Sequence, residues 1–145
     1  MKELDLAEHV IAYLDSMGWD VYQEVQFFGS GGVADIIAVH DGWRMWAIEC
    51  KKSLTIRVMS QASKWRTHYR SVALPSPKRS RYETSSRDCA YRVARDYFKV
   101  GVIEVDEGGA IHEIEAAPLM RQHHRFTKHK LEKLRPEHKT FAKAG

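Results

Sequence analysis

Val33-Ala34-Asp35-Ile36-Ile37-Ala38-Val39, a turn at Asp41-Gly42, and Met45-Trp46-Ala47-Ile48-Glu49-Cys50-Lys51 decide how this chain is read. Two apolar strands, 33–39 and 43–51, carry two carboxylates and one ammonium. A carboxylate is costly to bury unless it is paired or holds a cation, so charges inside such strands suggest a divalent-metal site with a lysine beside it. Side chains alternate faces along a strand, which puts Glu49 and Lys51 on one side and Cys50 on the other. Asp35 joins them only in one parity of the hairpin. A two-residue loop at Asp41-Gly42 sets Asp35 against Ile48 and defeats the site. A three-residue loop of His40, Asp41 and Gly42 sets Asp35 against Ala47, diagonal to Glu49 on the same face, with Gly42 at the left-handed third position. A bulge of the same parity does the same. The expectation is therefore a three-residue loop or such a bulge.

Around this hairpin the pattern alternates helix and strand. Leu6, Val10, Ile11, Leu14 and Met17 recur at helical spacing before Gly18, giving an amphipathic helix over 5–17. A strand over 19–28 and a Gly29-Ser30-Gly31-Gly32 connection follow. The two strands 33–39 and 43–51 are apolar on both faces, as in central strands covered by helices on both sides. Further expectations are a helix over 55–69, a short strand over 71–74 halted by Pro75 and Pro77, and a mobile basic loop over 76–86. A helix over 87–98, strands over 100–105 and 110–115, and helix over 127–134 complete the chain. The order is helix, three strands, helix, strand, helix, hairpin. The fold class is α/β, a mixed central sheet flanked by helices. We place one domain over 1–118 and a basic C-terminal extension over 119–145.

At 145 residues the chain is long enough for a core of its own. No apolar run approaches the roughly 20 residues that cross a bilayer, and the amino terminus lacks the pattern of a signal peptide, so a cytoplasmic location is expected. Cys50 and Cys89 fit no zinc spacing and read as small buried thiols. The net charge of +4 conceals an asymmetry. Between Cys50 and Tyr82 stand Lys51, Lys52, Arg57, Lys64, Arg66, Arg70, Lys78, Arg79 and Arg81, with no acid. A second basic stretch with four histidines runs from Arg121 onward. Long segments of one sign beside a metal site point to a polyanion, most simply a nucleic-acid backbone. The plainer reading, a solvated basic face, competes better for the tail than for the first segment, where Trp65, His68 and Tyr69 are interleaved with the charges. Trp65 and Tyr69 suit base stacking or core packing equally. His123, His124 and His129 have poor zinc spacing and read as part of the solvated tail.

This order of elements resembles the PD-(D/E)xK nuclease superfamily, whose core is a helix, three strands, a helix and a strand (αβββαβ), the restriction-endonuclease-like core. The stretch 6–65 is most similar to archaeal-type Holliday junction resolvases. It carries Glu8 on the first helix, Gly18-Trp19 ending it, Ser30-Gly31 in a loop, Asp35 opening a strand, Glu49-Cys50-Lys51 on the next, and Gln61 downstream. The match covers a little under half the chain. Ala34 stands where the family usually has proline, and the basic segments after residue 75 have no clear counterpart in the resolvases.

The resemblance implies a Mg2+-dependent endonuclease that hydrolyses DNA phosphodiesters, with branched or Holliday junction DNA a candidate substrate, a role in DNA repair and recombination, and a homodimer. Asp35, Glu49 and the main-chain carbonyl of Cys50 would be hard oxygen ligands for Mg2+, with Mn2+ a substitute. Lys51 would help deprotonate or orient the attacking water and balance charge growing on the phosphorus-centred transition state. Lys52 points away from Glu49 by strand alternation. Glu8 would bind a metal-bound water or a second metal, or is simply a solvated acid beside Glu3 and Asp5. Gln61 would hold the lysine or the scissile phosphate, or is a helix-surface amide. Glu24 reads as an additional ligand or as an edge-strand acid. Ser30, Lys52, Arg57, Lys64, Arg66, Arg70, Lys78, Arg79 and Arg81 are the candidate DNA contacts. A buried ion-pair cluster is the structural alternative for Asp35, Glu49 and Lys51, and adds little stability over apolar packing. The competing functions are a nuclease-like fold that binds DNA or regulates without cutting, and an enzyme acting on RNA.

Overall fold

The computed structural model describes residues 1–26, 32–77 and 81–139, with the side chains of 81–85, 126, 128 and 129 outside the description. Within these residues helix α1 (Glu3–Ser16) leads into strands β1 (Asp20–Gln26), β2 (Val33–His40) and β3 (Arg44–Cys50), then α2 (Ile56–Ser63), β4 (Tyr69–Pro75), α3 (Arg81–Asp96), β5 (Gly101–Val105) and β6 (Ile111–Glu115). A 3-10 helix (Arg121–Phe126) and α4 (Thr127–Leu131) follow. The six strands form one sheet in the order β1-β2-β3-β4-β5-β6. The pairs β3–β4 and β4–β5 are parallel and the others antiparallel. The expected α/β class and element order hold.

Helix α1 forms because Leu6, Ala7, Val10 and Leu14 make one apolar stripe, while Glu3 and Asp5 favour its amino-terminal dipole. It ends at Gly18, whose φ of +86° is costly for any residue with a Cβ. The stripe packs on Ile36, Ala38, Trp46, Ile48, Cys50, Ala73 and Ile103, covering one face of the sheet. On the other face α2 and α3 bury Met59, Ala62, Tyr91 and Ala94 against Val72, Leu74 and Val102. Further along that face, Trp65 packs with Val25, Ile37, Val39, Met45 and Ala47, and Leu131 and Leu134 of the tail close over them.

Four expectations need correction. Helix α2, expected to run to residue 69, stops at Ser63, capped at its start by Thr55 Oγ1 accepting from the Val58 N–H at 3.1 Å. Beyond it Trp65, Thr67 and His68 turn inward, and His68 Nδ1 accepts the Met45 N–H at 3.1 Å. Helix α3 begins at Arg81, within the stretch expected to be a loop, because 81–86 has no apolar periodicity to announce it yet no Pro or Gly to prevent it. Cys50 is buried as expected, whereas Cys89 is exposed on α3; both are free thiols. The segment after residue 118, expected as a polar extension, lies on the sheet. Its Met120 N–H donates to the His68 carbonyl at 2.8 Å, and Lys130 is buried. No described helix is long and apolar enough to cross a membrane.

Candidate active site

The hairpin has the required parity in a different register. Its loop is Asp41-Gly42-Trp43, closed by the Trp43 N–H donating to the His40 carbonyl at 3.2 Å. Asp41 and Gly42 both adopt left-handed φ, +56° and +76°, which moves the turn one residue later than expected. His40 therefore pairs with Arg44 and Ile36 with Ile48. Continued by one position, this register sets Asp35 directly opposite Glu49 rather than diagonal to it.

Across the other edge of β2, Gln23 pairs with Ile36 and Val25 with Ala34, so Glu24 stands opposite Asp35. At this point the alternation of faces breaks. Val21 and Ile36 belong to the core under α1, whereas Val25 and Ala34 belong to the opposite core. Glu24 has a φ of +52°, and Asp35 lines a cavity on each face. Oδ2 of Asp35 accepts the Cys50 N–H at 2.9 Å, which fixes the end of β3.

On the α2 side, Asp35, Glu49, Lys51, Gln61, Lys64 and Trp65 line one cavity of about 340 Å3. Glu49 is buried, and its Oε1 accepts the Trp65 indole N–H at 2.8 Å. Burial and the charge of Asp35, with a hydrogen bond shared with Asp35, push its carboxyl up to about 8, against the opposing effects of Trp65 and Lys51. Lys51 lies just past β3, where its backbone N–H donates to the Ala73 carbonyl at 3.0 Å. The set of two hard carboxylates, one buried beside a like charge, fits a divalent cation completed by carbonyl and water oxygens. Among the described residues no three His, Cys, Asp or Glu side chains are gathered as ligands of one metal.

The other predicted residues divide. Glu8 is exposed on α1; the acids at the α1-side cavity beside Asp35 are instead Glu3 and Glu24. Glu3 carried no signal in sequence, while Glu24, read there as an additional ligand or an edge-strand acid, is set opposite Asp35 by the β1–β2 register. Lys52, Arg57, Lys64 and Arg66 are exposed. Arg70 is not a surface contact. It is buried, and its guanidinium donates to the carbonyls of Ser63, Phe98 and Lys99, the last two at 3.1 Å, tying the end of α2 to the turn after α3. Ser30, Lys78 and Arg79 lie outside the described residues, and Arg81 is placed by its backbone alone as the first residue of α3. Trp65 is a core residue, and its bond to Glu49 was missed in sequence because the helix was expected to continue through it.

No family model matches the chain, and no curated protein matches it. Among solved structures it is similar to a protein of unknown function from Silicibacter pomeroyi, at 18% identity and a TM-score of 0.56, covering 88% of this chain and 81% of that one. The likeness is one of fold.

Proposed function

We propose that the chain is a Mg2+-dependent endonuclease acting on DNA phosphodiesters, built on a restriction-endonuclease-like core. The observation that carries this reading is the meeting of Asp35, Glu49 and Lys51 in one cavity, with Asp35 and Glu49 opposite each other across β2 and β3. Asp35, Glu49 and the Cys50 carbonyl are the residues that would hold the ion, whose chemistry there is Lewis acidity at a phosphoryl oxygen and a bound water of lowered pKa. Lys51 then orients the nucleophile and offsets charge on the transition state. Trp65 donates its indole N–H to Glu49, and Gln61, on the same cavity wall, would hold the lysine or the scissile phosphate. Exposed Lys52, Arg57, Lys64 and Arg66 supply the electrostatic attraction for a backbone. The resolvase-type reading adds a homodimer and paired cuts across a four-way junction.

The test is cleavage of labelled four-way junction, linear duplex and single-stranded DNA and of RNA, in Mg2+ or EDTA. Paired symmetric nicks in the junction support the resolvase-type reading, and Mg2+-dependent cutting of other DNA retains the nuclease alone. Cutting confined to RNA replaces the substrate. Tight salt-sensitive binding without cutting favours a DNA-binding module, a reading also suited to the absence of a ready three-ligand cluster among the described residues.

A further inference from the structure

On the α1 side of Asp35 lies a second cavity, of about 220 Å3, lined by Glu3, Gln23, Glu24 and Asp35 together with apolar residues and Cys50. Its polar wall has three carboxylates and no Lys, Arg or His. The cavity on the α2 side, by contrast, contains Lys51 and Lys64. Acids alone do not define a site, but Gln23 does something more specific. It is 4% exposed, and its Oε1 has no hydrogen-bond partner. A buried carbonyl-type oxygen left unsatisfied is costly, and Gln23 is one of the residues that line the acidic cavity. Next to it Glu24 is held at a φ of +52°, a region that residues with a Cβ seldom adopt and that clusters at functional sites.

We propose that Gln23 and Glu24 of β1 form, with Asp35, a second divalent-cation seat on the opposite side of Asp35 from Lys51. The Glu24 and Asp35 carboxylates and the Gln23 amide oxygen are its hard ligands, and Glu3 faces it through water from the start of α1. Two carboxylates and an amide leave coordination positions for retained waters, as Mg2+ and Mn2+ prefer. The ion answers the unsatisfied Gln23 oxygen and the uncompensated charge of the cavity together. The inference rests on the nuclease reading in that both ions share Asp35, yet cation binding here needs no cleavage to be detected.

The experiment is Mn2+ binding to the full chain without DNA, by electron paramagnetic resonance, with Gln23→Leu, Gln23→Glu, Glu24→Gly and Glu49→Gln. Glycine relieves the left-handed strain at position 24, so Glu24→Gly removes the ligand without endangering the fold. Two ions are expected in the wild type. One of them should weaken at least tenfold in Gln23→Leu and Glu24→Gly, remain in Gln23→Glu, and persist in Glu49→Gln. An ion that survives in Glu49→Gln but is lost in Glu24→Gly upholds the β1 seat even if the first site fails. Binding sensitive to Glu49→Gln and indifferent to both Gln23→Leu and Glu24→Gly overturns the seat while leaving the nuclease reading intact. Absence of any Mn2+ binding overturns it as well.

Discussion

Trp65 donates its indole N–H to Oε1 of Glu49 at 2.8 Å, so a residue of the turn after α2 fixes the orientation of a carboxylate at the end of β3. The carboxylate is buried beside Asp35, and the indole is a neutral donor to it. Substituting Trp65→Phe retains the packing and deletes the bond. Mg2+-dependent cleavage should fall about 10–100-fold, with the melting temperature changed by only a few degrees. Unaltered cleavage would place Trp65 in the core alone.

Glu49 also sets a pH dependence. Its folded-state carboxyl is pushed up to about 8 by burial and by Asp35, from the ordinary 4.5. The folded chain thus binds a proton that the unfolded chain has released. This contribution to stability is complete below pH 4.5 and is lost as pH rises towards 8. In EDTA, Glu49→Gln should remove that loss and raise the melting temperature at pH 8 by roughly 3–6 °C, while abolishing cleavage. Mg2+ should restore part of the wild-type stability at the same pH. A variant no more stable than the wild type at pH 8 would contradict the account of Glu49.

The docked tail responds to acid with the opposite sign. Burial lowers His123 to about 4, and burial followed by the neighbouring His124 lowers His68 from 6.5. His68 accepts at Nδ1 from Met45, so its neutral form carries the proton on Nε2, 3.2 Å from Nδ1 of His124. Their contribution is present above pH 6.5 and is lost as pH falls through about 4. Trp43, edge-on to His68 and His124 at 5.2 and 5.3 Å, reports the change. Its fluorescence should change between pH 6.5 and 4 before global unfolding, and Trp43→Phe should abolish the signal. Coincidence with global unfolding would show the tail and sheet to be one cooperative unit.

Arg70 holds three carbonyls from two separate segments. Arg70→Ala should cost about 3 kcal/mol in denaturant unfolding, because buried acceptors lose their donors, without reducing the salt dependence of DNA binding. Exposed Lys64→Ala should do the reverse, lowering the salt slope by about one with little change in stability.

Arg70 also shows where sequence reasoning ended. In the chain it is one more basic residue in an acid-free run; only the placement of β4 between α2 and α3 turns it inward. The hairpin was more legible, because buried carboxylates on two apolar strands permit few arrangements and alternation leaves two parities. Its register was misplaced because Asp41, and not glycine alone, takes a left-handed φ. Leu131 and Leu134 were hidden among basic residues, too few to make a stripe, although each closes over the core beside Trp65. The acids beside Asp35 are set by strand pairing and helix direction, so Glu3 and Glu24 line the cavity and Glu8, one helical face away, does not.

The most direct measurement is the single-turnover rate of DNA cleavage in Mg2+ by the wild type and by Lys51→Ala, with DNA binding measured in parallel. The account predicts Mg2+-dependent cutting that falls by about 100-fold or more without Lys51, at nearly unchanged DNA affinity. Equal cutting by both proteins, or none by the wild type on any DNA it binds, would contradict it.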